Sequence, residues 1–142
     1  GERNKINTED VVILTNLSEN FSVAELVDNC LSKNSTRTIK ILNENIFSAD
    51  DSIIIIRSLL SKSKRILSLK KDFVNKSNVD QIILSYKPPI FWKEKEVVKK
   101  QMESWTDDEV KKIIYKINDL EILVKKNPYN SLNFVSDFIC NY

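Results

Sequence analysis

A chain of 142 residues with 42% hydrophobic and 30% charged side chains suits one folded domain that buries about 70% of the surface its unfolded chain exposes. Twenty-two basic against twenty acidic residues leave a net charge of +2, too small for a dedicated nucleic-acid-binding domain. The absence of histidine, and a single glycine at position 1, exclude imidazole catalysis, histidine-ligated zinc, the P-loop and the Gly-x-Gly-x-x-Gly fingerprint, whose glycines let backbone approach phosphate.

Cys30 and Cys140 lie far apart in sequence with no Cys-x-x-Cys, so reduced thiols are expected, with no metal and no cofactor. No apolar run approaches the roughly 18 residues of a membrane span; the longest clean one is Ile53-Ile54-Ile55-Ile56. The chain is therefore expected to be soluble and cytoplasmic, without membrane contact. Four Asn-x-Ser/Thr sequences occur, at Asn16, Asn20, Asn34 and Asn75; in a chain so rich in Asn and Ser, chance explains them better than secretion. Gly1 reads as a tag remnant and the lone methionine is Met102, so a piece of a longer protein is expected. Abundant Lys, Asn and Ile, with alanine only at 24 and 49, resemble the codon bias of an AT-rich bacterial genome.

Apolar residues recur at helical rather than alternating spacing throughout. A short helix is expected from Thr8 to about Leu17, followed by a linker over residues 16 to 21. Ser22-Val23-Ala24-Glu25 has the form of a capping box, in which side chains satisfy orphan amides at a helix start. Behind it, Val23, Leu26, Val27, Cys30 and Leu31 make one apolar face. Ser35 or Thr36 opens the next helix, with Ile39, Leu42 and Ile46 expected inward and Phe47 near its end; the two helices read as an αα-hairpin.

Asp50 and Asp51 place negative charge at the positive end of a longer helix running to about Val74. Its first turns, with Ile53 to Ile56, Leu59 and Leu60, are apolar nearly all round, which suits the centre of a bundle. Along it Arg57, Lys64 and Lys71 recur every seven residues, a spacing that holds them on one stripe with Ser61 and Ser68 between. A solvated face accounts for this stripe; phosphate or an acidic partner is the sharper alternative.

Asn78 and Gln81 open a short helix through Ile82, Ile83, Leu84 and Tyr86, stopped by Lys87-Pro88-Pro89, where proline forbids further helical hydrogen bonding. Ile90-Phe91-Trp92 begins an element continuing through Val97, Val98 and Met102 to Trp105. Thr106-Asp107-Asp108-Glu109 is a second capping box. The helix it opens turns Val110, Ile113, Ile114, Ile117, Leu120 and Val124 inward and ends with Lys125 and Lys126, Asn127 and then Pro128. A last helix carries Leu132, Phe134, Val135, Phe138 and Ile139. Paired carboxylates at Asp50-Asp51 and Asp107-Asp108 can in principle act as acid and base or hold Mg²⁺. Both pairs fall at helix starts, so capping is the expected role and no catalytic residue is assigned.

Pro88-Pro89-Ile90-Phe91-Trp92-Lys93-Glu94-Lys95, followed by Gln101 and Trp105 before a capped helix, resembles the C-terminal region of the bacterial DNA polymerase III delta subunit. That family often carries Pro-Pro-x-Phe-Phe-Lys-Arg-Lys, then a glutamine and a tryptophan at similar spacing. Ile56-Arg57 with Leu59, and Glu121 with Lys125, match further. Trp92, Glu94 and Lys126-Asn127 depart from the pattern. The resemblance implies an all-α, clamp-loader collar-like bundle of about six to seven helices over residues 21–142, with residues 1–20 as the tail of a preceding AAA+-like domain and linker.

It further implies a role as the collar, or oligomerisation, domain of the non-ATPase delta subunit, within a clamp loader that places the sliding clamp on primed DNA. Implied partners are gamma/tau-type ATPase subunits and delta-prime. The sliding clamp is reached through an N-terminal domain outside this chain, and DNA only in the full assembly. Membership of the polymerase holoenzyme would bring association with a nucleotidyltransferase but no catalytic site here. Pro88, Pro89, Phe91, Trp92, Lys93, Lys95, Gln101 and Trp105 carry the motif or an interface, and Arg57, Lys64 and Lys71 the basic stripe. The alternatives are a basic helical nucleic-acid-binding module and an unrelated helical adaptor.

Overall fold

The computed structural model describes residues 21–75 and 78–141, with backbone alone for Val74 and Asn75. The expected Thr8 helix, the linker up to residue 20 and the boundary of the preceding domain fall outside the described residues, and Phe21, expected as the last linker residue, is helical. Within them the chain is an all-α bundle of seven helices with no strand. We label these α1 (21–31), α2 (Ser35–Glu44), α3 (Ala49–Asn75), α4 (Val79–Ser85), α5 (Lys95–Ser104), α6 (Asp107–Lys126) and α7 (Ser131–Cys140). Short 3-10 turns at Trp92–Glu94 and Pro128–Asn130 lead into α5 and α7.

The 27-residue α3 is the spine, about 40 Å long at 1.5 Å per residue. Its start is a reciprocal cap: the Ser48 amide donates to Asp51 Oδ2 and the Asp51 amide to Ser48 Oγ, satisfying donors that helix geometry leaves orphaned. The first two-thirds of α3, through Ile55, Ile56, Leu59 and Ile66, share a core with α1, α2, α6 and α7. Further along, Leu69 joins a second, smaller core with Ile82 and Ile83 of α4 and Val98 and Met102 of α5. Lys70 on α3 lies 3.9 Å from Asp107 at the start of α6, whereas Arg57 acts on Glu121 near its end. The two helices are therefore antiparallel.

The junction between the two cores explains the glutamine and tryptophan of the motif. Four residues apart on or just beyond α5, they reach the same helix end: Gln101 Nε2 donates to the Asp28 carbonyl at 3.2 Å and Trp105 Nε1 to the Leu31 carbonyl at 2.6 Å. These carbonyls belong to the last turns of α1. There the Lys33 amide donates to Cys30 O and the Asn34 amide to Asn29 O, the paired bonds of a Schellman closure. This closure requires a left-handed residue, and Lys33 supplies it at φ 57°. Its ammonium lies 4.4 Å from the centre of the Trp105 ring and 2.8 Å from Glu109 Oε2, holding a conformation disfavoured for a residue with a Cβ.

Several expectations change. The chain is already helical at Phe21, so Ser22 caps nothing: its hydroxyl donates to Asn45 Oδ1, and Glu25 accepts from Arg37. On α2 the buried residues are Thr38 and Ile41, while Ile39 and Ile46 face solvent. Thr38 can be buried because its hydroxyl donates back to Asn34 O. Ile46 lies past the helix end, where helical periodicity no longer governs its direction. Gln101 and Trp105, which carry the motif or an interface in the sequence reading, are buried at 0% and 4% exposure; Gln101 Nε2 and Trp105 Nε1 serve the α1 end.

Trp105→Ala should destabilise the fold by about 3 to 5 kcal/mol, the range for large buried aromatics, read from the urea midpoint at constant m-value. An unchanged midpoint would refute the anchoring role.

Candidate functional site

The segment between α4 and α5 sets most of the sequence-predicted residues on the surface. Pro88 and Pro89 end the helical run and are exposed. Phe91 and Trp92 follow at 56% and 73% exposure, with ring centroids 5.9 Å apart and planes tilted by 51°. Lys93 places its ammonium 5.5 Å from the Trp92 ring, within reach of a cation–π attraction, and Leu84 of α4 is exposed nearby in sequence. Both aromatics are thus presented to solvent rather than buried against the long helix. Only Ile90 of this stretch leans on the second core.

Lys95 behaves differently from Lys93. With Lys99 it grips one carboxylate oxygen of Asp80, at 3.0 and 2.7 Å, tying α5 to α4. Lys99 first and Lys95 second hold Asp80 below the usual aspartate range, and Asp80 in turn raises Lys99. Arg65 of α3 bonds Glu94 at 3.2 Å, so the platform beneath the aromatic pair is fixed from two sides.

The basic residues of α3 divide by use. Lys62 pairs with Asp28 at 2.7 Å, Arg65 with Glu94, and Lys70 donates to the Met102 carbonyl at 2.9 Å. Arg57, Lys64 and Lys71 are exposed and make no salt bridge among the described residues. Glu121 lies close enough to feel them: Lys125 holds its carboxyl low, with smaller help from Arg57 and Lys64. The stripe is real but partly compensated.

The outer face of α6 was not anticipated. Tyr115 and Ile122 stand exposed, and Tyr129, beyond the helix, is fully so. A spacing of seven residues places Tyr115 and Ile122 on one face of α6, a signal present in the sequence beside the stronger inward pattern. Both paired-carboxylate candidates resolve as structural: Asp51 caps α3, and Asp107 sits in the first turn of α6 facing Lys70. Among the described residues no group of acidic or cysteine side chains is arranged to hold a metal ion, and no helix is long and apolar enough to cross a membrane. The chain matches no family model, no curated protein and no solved structure.

Because Trp92 is exposed and Trp105 is not, Phe91→Ala and Trp92→Ala should change stability by no more than about 0.5 kcal/mol, the range of surface substitutions. Trp92→Phe should remove the iodide-quenchable part of the tryptophan emission and leave a shielded component from Trp105. Equal quenching of the two would contradict the structure.

The acid response has a definite sign. Asp80 is depressed by Lys99 and Lys95, Glu109 by Lys33 and Glu121 by Lys125. Their contributions are thus present above the ordinary values of 3.8 and 4.5 and are lost as pH falls through the lower folded-state values. The melting temperature should hold at higher pH and decline in this acidic window, and Asp80→Asn should flatten part of the decline.

Proposed function

We propose that this chain is the helical collar domain of a clamp-loader delta-type subunit, holding neighbouring subunits together and performing no catalysis. The observation that carries the reading is how the motif residues divide. Gln101 and Trp105 lock α5 to the end of α1, while Phe91 and Trp92, two large aromatics, are left on the surface. Exposed tryptophan flanked by a charged rim is the composition of an interface anchor. A second apolar strip at Tyr115 and Ile122 offers the separate face that a subunit in the interior of a ring requires.

The second reading, a nucleic-acid-binding module, draws on Arg57, Lys64 and Lys71, which make no salt bridge among the described residues. Glu121 beside two of them, and a net charge of only +2, favour the collar. In the collar reading, DNA is met only by the full assembly.

Size-exclusion chromatography of the chain with purified gamma/tau-type ATPase subunits and delta-prime should give a joint complex. Trp92→Ala should weaken it by about 2 kcal/mol, roughly thirtyfold, without lowering the melting temperature. Apolar packing of this kind should depend little on salt, whereas phosphate contacts weaken steeply with it. Duplex DNA should bind the isolated chain weakly at physiological salt. Sub-micromolar duplex binding, or no complex with those subunits, would overturn the collar reading.

A further inference from the structure

Cys30 and Cys140 sit at opposite ends of the described chain, yet three elements bring them to one place. Cys30 is on the last turn of α1 at 4% exposure, and Cys140 closes α7 in contact with solvent. Both line a single cavity with Lys33, Thr38, Ile39 and Ile139. Its volume is about 10 Å³, the lower limit for one water molecule. A space of that size admits no small-molecule thiol, and the other sulfur that lines it is that of Cys140.

The two thiols also differ in reactivity. Burial pushes the Cys30 thiol up to about 12, with a smaller contribution from neighbouring Cys140. Because the thiolate is the nucleophile and Cys30 is buried, Cys30 is a poor target for oxidants in solution. Cys140, at the mouth of the cavity, is the sulfur that a small oxidant meets first.

We propose that Cys140 and Cys30 form a peroxide-responsive pair, in which Cys140 is oxidised and Cys30 then resolves it into a reversible intrachain disulfide. In the first step the Cys140 thiolate attacks one oxygen of hydrogen peroxide; the O–O bond breaks, hydroxide leaves and a sulfenic acid remains. In the second, the Cys30 sulfur attacks the Cys140 sulfur. The S–S bond forms, the S–O bond breaks, and the departing hydroxide takes the Cys30 proton as water. The two thiols lose two electrons and the peroxide is reduced to two waters. Confinement at one cavity compensates for the weak nucleophilicity of Cys30 by making the step intramolecular. The product would fasten the C-terminal end of α7 to the closing turn of α1, beside the Lys33 and Trp105 contact.

The test treats the whole chain with a small excess of hydrogen peroxide, followed by alkylation in denaturant, intact mass and peptide mapping without reductant. The expected result is a monomer lighter by two hydrogens, with no alkylatable thiol, a Cys30–Cys140 linked peptide pair, and full reversal by dithiothreitol. Cys140→Ser, at an exposed position where folding is not at stake, should leave Cys30 as a free thiol under the same treatment. Cys30→Ser should leave Cys140 as a sulfenic acid trapped by dimedone. Overoxidised Cys140 beside free Cys30 in the unaltered chain, or covalent dimers joined through Cys140, would overturn the proposal. So would oxidation of Cys30 in the Cys140→Ser variant.

Discussion

The architecture depends on how the end of α1 is closed. A helix terminus leaves carbonyls without partners, and burying them unsatisfied costs on the order of 1 to 3 kcal/mol each. Here the closure is shared. Lys33 turns the chain in the left-handed conformation, Trp105 just beyond α5 donates to the Leu31 carbonyl, Gln101 of α5 adds a second donor to the Asp28 carbonyl already held by the Ser32 amide, and Glu109 at the start of α6 receives the Lys33 ammonium. One short stretch of main chain thus fixes the relative positions of α1, α5 and α6.

That junction gives the α4–α5 region its rigidity. The second core is small, with five buried side chains. Gln101 and Trp105 join it to the larger core, Arg65 fixes Glu94, and Lys95 with Lys99 fixes Asp80. Phe91 and Trp92 are consequently presented from a braced support rather than from a free loop. A preorganised aromatic anchor loses less entropy on binding than a mobile one, which suits the collar reading.

The long helix does two jobs with one set of cations. Lys62, Arg65 and Lys70 bend inward to Asp28, Glu94 and the Met102 carbonyl, while Arg57, Lys64 and Lys71 stay in water. Lysine and arginine stems are long enough to serve either side of a helix. The count of basic residues therefore said little about how many were available to a partner.

The helical class, the approximate span of α3 and nearly all of α6 were legible in the sequence, because start, apolar face and stop agreed there on local grounds: Thr106 caps the helix by accepting from the Glu109 amide, five of six inward residues are buried, and Asn127 closes the end. The sequence also marked the proline-aromatic-lysine segment, but not whether that segment was inside or outside. Only the tertiary structure decided that Phe91 and Trp92 are exposed while Gln101 and Trp105 are interior, that Ile39 and Ile46 give way to Thr38 and Ile41, and that two distant cysteines line one cavity. The physical reason is the same each time. Periodicity and capping are properties of neighbours along the chain, whereas burial, ion pairing and the meeting of two thiols depend on which other helix arrives opposite.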